Sequence, residues 1–272
     1  MTNSTENAQC IFCKTTSAPF TSIEHIVPES LGNTDYILPR GVVCDPCNNY
    51  FASKVEGRIL GSDYFRQARH RNGIPSKRNR IPIQEALSFP DAMRLEMGIA
   101  RDGSPYIGPA DESQNDNFAS RLLNSNRLTA IFPVADPPDQ RLFARFLLAM
   151  GLEALADRML PVPRGIEVDH INNQHLDEAR TFARYGSGRD VWPFHEARIY
   201  PEGRHFHDLA DGTSCDIPHE YTLLFTDNNE LYFVIAIFGI QYSINLGGPE
   251  IEGFHQWLAA NNDQSPLYPQ GP

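Results

Sequence analysis

Between Ser22 and Gly32 the chain reads SIEHIVPESLG, a short β-branched run around a carboxylate and an imidazole that closes on Pro28 and Gly32. β-Branched residues favour strands and Pro and Gly end them, so the pattern predicts a strand that delivers Glu24 and His25 to a turn. A second apolar run, Tyr36-Ile37-Leu38, leads through Pro39-Arg40-Gly41 to Val42-Val43 and predicts the other arm of a hairpin. From Asn48 to Leu60 the period changes: Phe51, Val55 and Ile59 recur at i, i+4 and i+8, the stripe of a helix. Further on, Gly103 to Asp116 is a Pro/Gly-rich, acid-bearing passage. Pro137-Pro138 then precede a helix expected over Asp139 to Leu160, with Leu142, Phe143, Phe146, Leu147, Met150, Leu155 and Met159 on a broad apolar face. A second helix is expected from Asn173 to Tyr185, stopped by Gly186. Tyr221–Phe225 and Leu231–Leu246 read as strands joined by Asp227-Asn228-Asn229. Helices and strands in this order predict an α+β fold without internal repeats.

Composition narrows the classes. The 272 residues allow one large domain or two modest ones, each able to bury a core. With 41% hydrophobic and 21% charged residues the chain sits in the ordinary globular range. A net charge of −11 argues against a uniformly basic coat for nucleic acid, though not against a local basic face. No apolar run reaches the roughly 18 residues that a membrane span requires, and Met1 to Asn7 is polar, unlike a secretory signal. The expectation is a soluble, cytoplasmic protein with no membrane partner.

Cysteine spacing supplies the first chemistry. Four of the five cysteines form two C-x-x-C pairs, Cys10/Cys13 and Cys44/Cys47, and Cys215 stands apart. In a reducing compartment such pairs point to a closed tetrahedral zinc site, because thiolates are soft ligands suited to Zn²⁺. The predicted order is knuckle, hairpin carrying Glu24-His25, knuckle, then a helix opening with Asn48-Asn49. An imidazole supplies a proton acceptor near neutrality, and a hard cation prefers the oxygens of a carboxylate and an amide.

Cys10-x-x-Cys13, Glu24-His25-Ile26-Val27-Pro28, Ser30-Leu31-Gly32 and Cys44-x-x-Cys47-Asn48 together resemble the zinc-stapled HNH endonucleases of the His-Me finger (ββα-metal) group. The resemblance covers about the first 60 residues. It implies a nuclease in which His25 is the general base, Glu24 and Asn48 bind a catalytic Mg²⁺ or Mn²⁺, and Cys10, Cys13, Cys44 and Cys47 hold a structural Zn²⁺. The family also carries an Asn that steadies the loop before the second knuckle; Asn33 and Asp35 are both candidates. Asn49 and Glu56, seven apart on the helix, share a face that can meet metal, DNA or solvent. The expected organisation is an HNH ββα-metal module over 1–60, a basic connecting segment over 61–90, and a larger α+β domain over 91–272.

From Arg58 to Arg80 the bases Arg58, Arg66, Arg69, Arg71, Lys77, Arg78 and Arg80 face one acid, Asp63, for a local charge of +6. Residues 81–272 carry −14, so contact with DNA is expected to stay in the N-terminal part, with these bases on phosphates and Tyr64, Phe65 and His70 available for stacking. Asp169-His170 echoes the acid-His pair without flanking cysteines and reads as a loop. His205 and His207 share one side of an expected strand but lack further ligands. A metal-dependent DNA endonuclease is the leading reading, in an architecture that resembles restriction and anti-phage effectors as much as recombination or repair enzymes. A non-catalytic zinc module that binds nucleic acid, or a nuclease acting on RNA, fits the same residues.

Overall fold

A computed structural model of the chain describes residues 8–76, 79–100, 102–125, 127–159, 172–201, 206–207, 214–215 and 219–268. Helix takes 36% of the chain and strand 21%, and every described strand pair is antiparallel, which makes the fold α+β rather than α/β. The chain forms two compact units. The first comprises 1–29, 33–59 and 139–272, the second 30–32 and 60–138.

The first unit opens with the hairpin that the sequence predicts. Strand β1 (Glu24–His25) pairs with β2 (Ile37–Leu38), Glu24 opposite Leu38 and His25 opposite Ile37. Helix α1 (Asp45–Phe51) begins three residues earlier than Asn48, because Cys44 in extended conformation is its N-cap and Pro46 occupies its first turn, where a missing N–H costs nothing. A π-helical turn, Ala52–Glu56, follows, and α2 (Gly57–Leu60) completes the run. Gly57 donates to Ala52 O across the π turn, and a Cβ there would lie 2.9 Å from that oxygen. Phe51, Val55 and Ile59 are all buried, as their spacing predicts.

The remainder of this unit is built around α5 (Gln140–Met159). Its burial is not confined to one face: Leu142 to Ala154 are buried all round apart from Arg145, which marks a core helix. It packs on a sheet of order β10-β11-β12-β7, made of β7 (Phe194–Arg198), β10 (His219–Phe225), β11 (Leu231–Ile237) and β12 (Ile240–Asn245). Close approach of helix to sheet fixes Gly151, whose Cβ would meet Leu246 at 2.7 Å and Phe233 at 2.9 Å. The single strand expected over Leu231–Leu246 is two, turned by Phe238-Gly239 at φ of 50° and 81°. The other face of β11 is covered by the C-terminal helix Glu252–Ala260 through Tyr232, Val234 and Phe254. Helix α6 (Asp177–Tyr185) ends as predicted on Gly186, whose amide donates to Phe182 O at φ 65°. It packs against α5 and against α1. The pair β8 (Phe206–His207) and β9 (Ser214–Cys215) is present, while the side chains of His207 and Cys215, together with His205, lie outside what is described.

The second unit corrects the reading of 61–90 as a connector. That stretch holds α3 (Asp63–Arg71), with Phe65 and Ala68 buried, and β3 (Gln84–Phe89), which alternates buried and exposed at every residue. The net charge of the stretch reflects its exposed arginines, whereas the alternation in β3 turns Gln84, Ala86 and Ser88 inward. The sheet runs β5-β4-β3-β6 with β4 (Arg94–Ile99), β5 (Pro105–Pro109) and β6 (Thr129–Ile131). Helix α4 (Asn115–Ser125) seals one face through Phe118 on Ala86, Met93 and Leu95. The Pro/Gly-rich passage from Gly103 supplies the edge strand β5.

Candidate functional site

Two chain crossings bring the cysteines together. At the first knuckle, Lys14 N donates to Cys10 O (2.9 Å) and Cys10 N to Thr15 O (3.0 Å), with Lys14 in the left-handed region at φ 59°. At the second, Cys47 N and Asn48 N both donate to Cys44 O (2.9 and 3.0 Å). The bond from Ile11 N to Val42 O (3.1 Å) ties the two crossings. All four sulfur atoms lie within 4.8 Å of one another, with Cys10, Cys44 and Cys47 buried and Cys13 exposed. Proton affinity is unequal in this crowd. A hydrogen bond from Cys47 draws the Cys10 thiol down to about 5 against the opposing effect of burial. Desolvation pushes Cys44 up to about 12, and the bond to Cys10, with burial, raises Cys47 well above the usual thiol range. One negative charge is thus tolerated and further ones are resisted, which is the donor set a dication completes.

The same helix start that carries Cys44 and Cys47 grips the approach to β1. Asp45 accepts from the Thr21 hydroxyl (2.6 Å), Thr21 N (2.8 Å) and Ser22 N (2.9 Å), and the Thr21 and Ser22 bonds hold its carboxyl down at about 2. One turn along, Asn48 Nδ2 donates to Ile23 O at 3.3 Å. The residue that follows the second knuckle therefore touches the one that precedes Glu24. Alternation along the strand buries Glu24 and leaves His25 half buried, with its Nδ1 buried and without a hydrogen-bond partner.

Asn33 settles the choice between the two loop candidates. Its side chain is 1% exposed; Nδ2 donates to Val27 O (2.5 Å) and Tyr36 O (3.1 Å), while Oδ1 accepts from Asp35 N and Tyr36 N (both 2.9 Å). Asp35 contributes a backbone amide to this web, and Asn33 is the residue that holds the loop between β1 and β2.

Several contributors lie far along the chain and give no signal in the sequence. Glu153 of α5 is buried, and desolvation first, then the charges of Glu24 and Glu56, raise its carboxyl well above the usual range. Glu56, placed by the π turn, is half buried. Asn49 is exposed. From α6, Arg180 Nε donates to Ile11 O (2.7 Å) and Arg184 Nε to Cys47 Sγ (3.4 Å).

The basic run divides. Arg58, Arg66, Arg71 and Arg80 are exposed, whereas Lys77, Arg78 and the echo pair Asp169-His170 lie outside the described residues. Arg69 is a correction: it is 7% exposed, its Nε and Nη2 have no hydrogen-bond partner, and burial lowers its proton affinity, so it is not a surface cation. Phe65 and His70 are buried as well, and His70 Nδ1 is 2.7 Å from Pro82 O, which removes both as open stacking groups. Among the described residues, no helix is long and apolar enough to cross a membrane.

No curated protein and no solved structure matches the chain. One family model does, and it spans both knuckles, the hairpin and the helix assembled above: residues 10–62 match the family described as HNH endonuclease.

Proposed function

We propose that the protein is a metal-dependent endonuclease that hydrolyses phosphodiester bonds in DNA, with its reactive residues in the segment 10–62. The observation that carries the reading is the bond from Asn48 to Ile23, which joins the first turn of the helix that follows the second knuckle to the strand of Glu24 and His25. In this reading Cys10, Cys13, Cys44 and Cys47 hold a structural Zn²⁺, and Glu24 and Asn48 offer a carboxylate and an amide oxygen to Mg²⁺ or Mn²⁺. The divalent ion, when bound, stabilises charge on the phosphate and on the leaving oxygen. His25 accepts the proton of the attacking water, a role suited to an imidazole whose Nδ1 has no competing partner. Arg58, Arg66, Arg71 and Arg80, all exposed, together with Lys77 and Arg78, supply phosphate contacts. A nuclease segment joined to a larger α+β body suits a restriction or anti-phage effector acting in the cytoplasm, where thiols stay reduced.

The test is nicking of supercoiled plasmid with Mg²⁺, with Mn²⁺ and with EDTA, alongside an RNA substrate. His25→Ala is expected to lose a factor of roughly 10² to 10⁴ in rate with zinc content and fold unchanged. Asn48→Ala should be partly restored by raised metal, and His170→Ala should cut normally. Wild-type protein inert on every substrate, or His25→Ala cutting at the wild-type rate, would overturn the proposal.

A further inference from the structure

Four thiolates around one Zn²⁺ carry a net charge of 2−, and three of the four cysteines here are buried. A buried charge of that size needs compensation from nearby donors. The backbone amides of the knuckles supply part of it. A further donor comes from α6, more than 100 residues beyond the second knuckle in sequence. Arg184 Nε points at Cys47 Sγ at 3.4 Å, and its guanidinium carbon sits 3.7 Å from the centroid of the Tyr50 ring. Tyr50 is itself held by Arg145, whose Nη2 donates to its hydroxyl at 2.9 Å. Arg145 is anchored in turn by Ala183 O and Arg184 O, both at 3.1 Å. The ring fixes the plane of the Arg184 guanidinium, and the plane directs Nε–H at the sulfur. A lysine can match that charge but not the stacked, directed donor.

We infer that Arg184 is a positioning residue of the metal centre: its guanidinium hydrogen-bonds the Cys47 thiolate, so that a helix outside residues 10–62 completes the zinc staple. Arg180 plays a different part. Its Nε holds Ile11 O at 2.7 Å, its Nη1 holds Asn173 O and Asp177 Oδ1 at 2.9 and 2.8 Å, and Lys14 pairs with the same carboxylate at 2.6 Å. These contacts clamp the backbone of the first knuckle without touching a sulfur. A donor on a thiolate withdraws electron density from it and lowers its nucleophilicity, while the charge it compensates and the orientation it imposes stabilise the loaded site against loss of metal.

Full-length protein loaded with Co²⁺ in place of zinc reads this directly, because the sulfur-to-cobalt charge-transfer band reports the electron density on the thiolates. Arg184→Gln should move that band to lower energy and speed zinc transfer to a chromophoric chelator by about 10-fold, the scale seen for outer ligands of metal sites. Arg184→Lys keeps a charge and most of the packing, and it should shift the band in the same direction; it also serves if the Gln variant does not fold. Arg180→Gln should lower stability and leave the band where it is. A wild-type band and release rate in both Arg184 variants, or an equal shift in Arg180→Gln, would overturn the inference. Both readouts are independent of nuclease activity, so they stand whether or not the protein cuts DNA.

Discussion

Replacing Asn33 with Ala isolates the hydrogen-bonded loop on which β1 depends. The substitution removes four bonds: Nδ2 to Val27 O and Tyr36 O, and Oδ1 from Asp35 N and Tyr36 N. At about 1 kcal/mol net for each bond the upper figure is about 4 kcal/mol. Tyr36 O keeps the bond from Ile26 N at 3.0 Å, so one loss is cushioned and about 3 kcal/mol is the expected cost. That is a large part of the roughly 5 to 15 kcal/mol that holds an ordinary domain. The hairpin has little to fall back on, since β1 and β2 share two residue pairs and a ribbon so short does not stand alone. Urea unfolding followed by tryptophan fluorescence is the assay, because Trp192 and Trp257 both belong to the unit that contains Asn33. With a slope of about 3 kcal/mol per molar, the midpoint should fall by about 1 M. Asn33→Asp is the sharper companion. It keeps an acceptor for the two amides and sets a carboxylate oxygen against Val27 O and Tyr36 O, so it should destabilise at least as much. If both variants unfold within about 0.5 kcal/mol of wild type, inside the range of an ordinary surface change, the loop does not rest on Asn33.

Cys44→Ser should drop zinc from one per chain to near none by elemental analysis and expose the N-terminal hairpin to protease, because a structural zinc contributes about 10 to 16 kcal/mol of apparent binding energy to folding; a variant with full zinc content would refute this. His219 gives a pH prediction. It is buried, both ring nitrogens lack hydrogen-bond partners, and desolvation lowers its proton affinity below the unfolded value near 6.5. The unfolded chain then binds the extra proton as pH falls, so the stability tied to neutral His219 is present above about 6.5 and lost below it. His219→Phe, which keeps an aromatic edge towards Tyr36, should flatten the decline in stability between about pH 7 and 5, and an unchanged slope would show that another group titrates.

What could be read from the sequence was whatever depends on near neighbours. Paired cysteine spacing, the Phe51-Val55-Ile59 stripe and the turn at Gly186 each encode a local geometry, and each is found in the fold. Strands without a simple alternation escaped. β11 is buried on both faces, so its apolar run merges with that of β12, and only the left-handed Phe238-Gly239 pair separates them. β5 is an edge strand bounded by Pro105 and Pro109, and its residues range from exposed to half buried, which gives it the appearance of a loop.

Charge misled wherever burial decided its meaning. Arg69 sits in the same basic run as Arg66 and Arg71, but the helical period turns it into the second unit's interior while they face solvent. Glu153 lies in an apolar helix with nothing nearby in sequence to mark it, and its relation to Glu24 and Glu56 exists only once α5 packs on the π turn. Arg180 and Arg184 meet Ile11 and Cys47 only because the knuckles dock against α6, a contact that no local pattern in the sequence marks. A segment cut at residue 62 would keep all four thiols with Glu24, His25 and Asn48. It would lose Arg184 from Cys47, Arg180 from Ile11, and the buried carboxyl beside Glu24. The residues proposed to bind and react are thus local, whereas groups that touch them or set their charge are supplied from the other end of the chain, so the matched segment is smaller than the physical unit to which it belongs.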